Sequence, residues 1–149
     1  MFKRILLPID VSDQDVAAQS LRQAAELAKL MGSEVRLVAV FNPIVPMAPM
    51  DVVPQSYIDT MGDFERQELA KLAAAIDLPK EKVSTEVREG GAYAELLEAA
   101  EAWKADLIII GAHKRSMATY LLGSTANAIV RHALCPVLVM RSDKKAHIL

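Results

Sequence analysis

"RILLPIDVSDQDVAAQSLRQAAELAKLMGSEVRLVAVFN", residues 4–42, carries two different periods in one stretch. Its ends, Arg4–Asp10 and Glu34–Asn42, are runs of branched aliphatics too short for helices, and the second is nearly continuous in apolar residues, as in a strand covered on both faces. Between them Val16, Ala17, Leu21, Ala24, Leu27, Ala28 and Met31 recur at three-to-four spacing, which gathers them on one side of a helix. Ser12 with Asp15 makes a capping-box-like start, and Gly32 stands where a left-handed residue ends a helix. Strand, helix and strand form a βαβ unit, whose two strands lie parallel.

The remainder repeats the alternation. "KVSTEVR" (82–88), "DLIIIG" (106–111) and "PVLVMR" (136–141) read as three more strands, and residues 56–78, 92–105 and 125–134 as helices, with Gly90 and Gly91 opening the second of these. The third strand alternates Val83, Thr85 and Val87 with polar neighbours, as an edge strand does, while the fourth and fifth are nearly all apolar. Repeated strand–helix units with right-handed crossovers give an α/β fold: an open, doubly wound, parallel five-stranded sheet of Rossmann-like type with helices on both faces. With the fourth strand returning beside the first, the strand order is 3-2-1-4-5. A chain of 149 residues fits one domain, residues 1–149.

Composition narrows the function. Apolar residues make up 52% and aromatics 5%, so the core is aliphatic, and a net charge of -2 lacks the basic field that nucleic-acid binding requires. A single cysteine, Cys135, excludes an internal disulfide and a cysteine-cluster metal site, which suits a reducing compartment and a cytoplasmic protein. No apolar stretch reaches the about 20 residues that cross a bilayer, so no membrane association is expected.

In a doubly wound sheet, ligands bind beyond the carboxyl ends of the strands where the strand order reverses, here between Asp10 and Gly111. Asp10 either caps the following helix or accepts hydrogen bonds from a ribose hydroxyl pair. "GAHKRSMATYLLGST" (111–125) ends the fourth strand and opens the last helix. Gly111 and Gly123 let backbone approach a ligand closely, the first N–H groups of a helix favour an anion, and Ser124 and Thr125 add hydroxyl donors. A strand-ending glycine and an ordinary helix start are the plain alternative for each residue singly; their combination with Asp10 across the crevice favours a phosphate cradle.

"ILLPID", "LVAV", "ADLIIIGAH", "LLGSTANAIVRHA" and "CPVLVMR", in that order and spacing, resemble the universal stress protein family across nearly the whole chain. Nucleotide-binding members carry the pattern G-x2-G-x9-G-[ST]; Gly111, Gly123 and Ser124 take its first, third and last places. Lys114 stands at the middle glycine and the interval is one residue shorter, which most resembles the F/G-like subgroup of small bacterial stress proteins. The resemblance implies ATP, or ADP or AMP, with or without Mg, as the ligand. It implies Pro8 and Asp10 at the ribose, the Val40 backbone at the adenine edge, and Ile110, Gly111, Gly123, Ser124 and Thr125 along the triphosphate. Lys114 or Arg115 either supplies charge to the phosphates or is simply solvated. The family also forms homodimers, and pairing through the apolar last strand (Val137, Leu138, Val139) would cover an edge that otherwise invites aggregation.

Other residues admit plainer roles. His113 beside the site invites a proton-shuttle reading but has no carboxylate partner near it in sequence; His132 suits a helix end, and Cys135 a small buried hydrophobe. "FNPIVPMAPMDVVP" (41–54) is either a lid near the adenine or a surface connection. No Ser-His-Asp set and no Walker-type G-x4-GK[ST] is present, so the sequence carries no catalytic assignment. The expected function is a cytoplasmic, nucleotide-responsive stress regulator. The alternatives are a slow ATPase or self-phosphorylating protein using Ser116, Thr119 or Ser124, and a dimeric interaction module that binds no nucleotide.

Overall fold

The computed structural model of the protein describes residues 1–43, 53–112 and 123–141. Five strands, β1 (Arg4–Pro8), β2 (Glu34–Phe41), β3 (Val83–Glu89), β4 (Leu107–Ala112) and β5 (Val137–Arg141), form one parallel sheet in the order β3-β2-β1-β4-β5. Between them run α1 (Gln14–Met31), α2 (Gln55–Ala75), α3 (Ala92–Trp103) and α4 (Ser124–His132), with one 3-10 turn at Lys80–Lys82. This is the architecture expected from the alternating segments.

The sheet explains why the cores of its central strands β1 and β4 are apolar without interruption. Successive side chains point to opposite faces, so a strand buried on both sides has no position for a polar residue. Ile5 and Leu7 of β1, Val35 and Leu37 of β2 and Ile109 of β4 pack with Leu21, Ala24 and Ala28 of α1 and Leu69 of α2. Their neighbours in the chain, Leu6, Val38, Ile108 and Ile110, turn to the other face and pack with Leu96 and Ala99 of α3 and Ile129 of α4. Helices α1 and α2 therefore cover one face and α3 and α4 the other.

Both edge strands are less buried. On β3, the Arg88 guanidinium bridges Glu86 at 2.9 Å, Glu95 of α3 at 2.7 Å and Glu98 of α3 at 3.0 Å, so this edge is occupied by paired charges. On β5, Val137 and Val139 pack against the α3–α4 core, Met140 against the α1–α2 core, and Leu138 is 40% exposed.

Three local features depart from the sequence reading. The cap of α1 is Asp13, whose side chain accepts from the Val16 N–H at 3.3 Å; Ser12, one residue earlier, is used elsewhere. The helix does end at Gly32, in the left-handed region at φ 66° with its N–H donating to the Ala28 carbonyl. Helix α2 stops at Ala75 rather than 78, because Ile76 turns to extended backbone and drops into the core at 8% exposure. Helix α3 stops at Trp103 rather than 105, where Lys104 takes the left-handed conformation at φ 58°.

Candidate functional site

The parallel arrangement places the carboxyl ends of all five strands along one border of the sheet. At the point where the chain leaves β1 toward β2 on one side and β4 lies on the other, two loops part, and a cavity of about 360 Å³ opens between them. Its walls bring together Pro8, Asp10, Val40, Ile110, Gly111, Gly123, Ser124 and Thr125, the described residues of the expected site. Lys114 and Arg115 lie outside the described residues, as do His113, Ser116 and Thr119 and residues 44–52 of the proline- and methionine-rich segment.

Asp10 does not cap the helix that follows it. Its Oδ1 accepts from the Ser12 N–H at 2.9 Å and from the Ser12 hydroxyl at 2.5 Å, so the carboxylate is fixed in a turn that precedes the helix rather than capping it. The Asp13 N–H closes that turn on the Asp10 carbonyl at 3.1 Å. Its other carboxylate oxygen, Oδ2, has no hydrogen-bond partner among the described residues, and Asp10 lines the cavity.

Across the cavity, α4 begins at Gly123 with φ −59° and ψ 160° and no side-chain cap. A glycine is not required by that backbone geometry; serine or aspartate would satisfy the first-turn N–H groups there. The first backbone bond of the helix runs from Asn127 N–H to the Gly123 carbonyl at 2.9 Å, which leaves the N–H groups of Ser124, Thr125 and Ala126 ahead of it. All three residues line the cavity. Uncapped amides and the positive end of a nine-residue helix are suited to an anion.

Gly111 has a second reason to be glycine. A Cβ added to it would come within 2.8 Å of Val16 Cγ1 and 3.1 Å of Ser20 Oγ, both on α1. The missing side chain lets α1 lie close against β4, and Val16 and Ser20 line the cavity together with Gly111. Apolar walls come from Val38, Val40, Ala92 and Leu96, enough to take a flat ring.

The sequence reading missed Glu65, a half-buried carboxylate that α2 brings to the same cavity. Burial, and secondly the negative charge of Asp10, push its pKa above the ordinary value. A carboxyl whose folded pKa is raised stabilises the fold when protonated. That contribution is complete below the ordinary value of 4.5 and is lost as pH rises through the folded value. Glu65→Gln is therefore expected to raise the melting temperature at pH 7, with the gain shrinking to nothing at pH values below the ordinary one. Melting curves of both proteins across this range check it; a gain independent of pH contradicts it.

Cys135 is half-buried beside the α3–α4 core, where burial pushes its thiol pKa up, in keeping with a small apolar residue. His132 lies in the last turn of α4, where a cation favours the dipole. Among the described residues no group of three His, Cys, Asp or Glu side chains is arranged to hold a metal ion, and no helix is long and apolar enough to cross a membrane.

Comparison with known proteins agrees with this architecture. The chain is 32% identical over 148 residues to universal stress protein MJ0531 of Methanocaldococcus jannaschii, covering 97% of this chain and 85% of the relative. It is 30% identical over 148 residues to universal stress protein G of Salmonella typhimurium, covering 95% of this chain and all of that protein. Among solved structures, universal stress protein UspA from Lactobacillus plantarum superposes with a TM-score of 0.77 at 22% identity, over 94% of this chain and 98% of its own. The universal stress protein from Archaeoglobus fulgidus in complex with dAMP does so with a TM-score of 0.62 at 22% identity, over 93% and 97%. The sequence profile of the universal stress protein family matches residues 1–141. The chain belongs to the universal stress protein family.

Proposed function

We propose that the cavity binds an adenine nucleotide (ATP, ADP or AMP, with or without Mg) and that the protein acts as a nucleotide-responsive stress regulator in the cytoplasm. One observation carries the reading: the uncapped first turn of α4 and Asp10 line a single cavity of about 360 Å³. That volume falls among those of small-molecule sites. In this reading the 5′ phosphates take the amides of Ser124, Thr125 and Ala126, with the bare Cα of Gly123 allowing close approach. The ribose lies beside Pro8 and Asp10, and the base lies against Val38 and Val40. Lys114 and Arg115 add positive charge to the phosphate end. The complex of the Archaeoglobus fulgidus protein with dAMP supports an adenine nucleotide as the ligand.

Calorimetric titration with ATP, ADP and AMP tests the proposal. Binding is expected, and nucleotide at a hundredfold excess over Kd adds about 2.7 kcal/mol to stability. No heat of binding and no change in melting temperature at millimolar nucleotide overturns it and leaves the interaction module as the function.

The reading includes a homodimer built by pairing β5 with its counterpart in a second copy. Leu138 at 40% exposure, with Val130 at 45% and Leu134 at 85% on the adjoining α4 segment, gives that border an apolar surface that a partner would cover. Leu138→Glu is expected to convert the dimer to monomer in sedimentation velocity, since two like charges would then meet across the pair. A dimer unaffected by the change places the interface elsewhere.

A further inference from the structure

Glu65 breaks the pattern of the helix that carries it. On α2 Ile58, Met61, Gly62, Leu69 and Leu72 are buried or half-buried, and Glu65, itself half-buried, occupies the turn between Gly62 and Leu69 on that same side. At Gly62 the helix lies close to the end of β2, where an added Cβ would stand 3.4 Å from the Phe41 ring. One turn on, the same approach brings Glu65 to the cavity wall.

Other half-buried carboxylates among the described residues have partners: Asp106 accepts from the backbone N–H groups of Lys3 and Arg4, and Asp13 from that of Val16. Glu86 and Glu95 pair with Arg88, and Glu68 pairs with Lys71 at 3.0 Å. Glu65 makes no hydrogen bond or ion pair with any described residue, and the charged group near it is Asp10, of the same sign. A carboxylate in an inward stripe without a cation lowers stability, and positions that break the local rule in this way are where a ligand supplies the missing partner.

We propose, on the nucleotide reading of the cavity, that Glu65 is a specificity-determining residue: with Asp10 it receives the hydroxyl hydrogens of an unmodified ribose and turns away nucleotides bearing a 2′ or 3′ phosphate. Ionised carboxylates only accept hydrogen bonds, and ribose hydroxyls have hydrogens to give. A phosphate in the hydroxyl's place has no such hydrogen and brings negative charge against two negative groups in a partly desolvated site. The 5′ phosphates escape this repulsion because the helix amides of α4 take them on the opposite wall. The position thus selects by repulsion as well as by contact.

The test compares ADP, adenosine 2′,5′-bisphosphate and adenosine 3′,5′-bisphosphate, which carry two phosphoryl groups each and differ in where the second one sits. Calorimetry on the full chain is expected to show ADP preferred by roughly tenfold or more, a ratio typical of one unfavourable charge contact. Glu65→Gln, which keeps the size and removes the charge, is expected to narrow that preference to about threefold or less, with circular dichroism unchanged. A purely structural role for Glu65 shifts all three ligands together. That result, or an unchanged preference for ADP, overturns the inference while the nucleotide site stands. If the wild-type protein binds neither ADP nor ATP, the site itself is refuted and the inference falls with it.

Discussion

Replacing Gly123 with valine is expected to abolish detectable ATP binding while leaving the far-UV circular dichroism spectrum of the native protein. The residue is the N-cap of α4 and lines the cavity, at a backbone conformation that valine can adopt. The fold therefore keeps its helix, at the modest cost of an unfavourable cap residue, about 1 kcal/mol or less relative to glycine. Two added methyl groups stand where a phosphate must come within hydrogen-bonding distance of the first-turn amides. Hydrogen bonds to a charged group contribute about 1.5–3 kcal/mol each, so losing two of them weakens binding by roughly 100-fold or more. Calorimetry with ATP reads the effect. An affinity equal to wild type would show that phosphates do not use this turn.

Gly111→Ala is expected to lower stability, and for a reason that has nothing to do with a ligand. The new Cβ would stand 2.8 Å from Val16 Cγ1, on a β-branched side chain with little freedom to move away. Either α1 lifts from the sheet or Val16 leaves its rotamer, and overpacking of this kind costs about 1–3 kcal/mol. In a protein of this size that lowers the melting temperature by about 3–10 °C. The double variant Gly111→Ala with Val16→Ala removes the obstructing methyl group and is expected to regain part of the loss. Thermal melts of the two variants decide it: equal losses in both would assign the effect to the strand rather than to its contact with α1.

The architecture was legible because burial on both faces leaves a plain signature. Leu6 and Leu7 point to opposite cores, as do Ile108 and Ile109, so no polar residue interrupts either strand and the parallel arrangement follows. The candidate cavity was legible where backbone sets it: strand ends and a helix start occupy fixed places once the strand order is known. Side-chain assignments were less so. Ser12 and Asp13 are both good cap residues, and choosing between them depends on Asp10, which draws the Ser12 hydroxyl to itself. Gly111 carries the same letter whether or not a helix packs on it, and only the coordinates of α1 reveal that contact. Glu65 gave no signal, since its place at the cavity depends on how α2 crosses the end of β2, a tertiary fact that spacing along one helix does not contain.

The unequal borders of the sheet set how far assembly can proceed. Strand β3 ends one side with Arg88 tied to three carboxylates, and β5 ends the other with an exposed leucine. A parallel sheet with two receptive borders would join neighbour to neighbour into an endless ribbon. With the β3 border occupied by its own ion pairs, the pairing proposed for β5 would use the one apolar border among the described residues, and growth would stop at two copies.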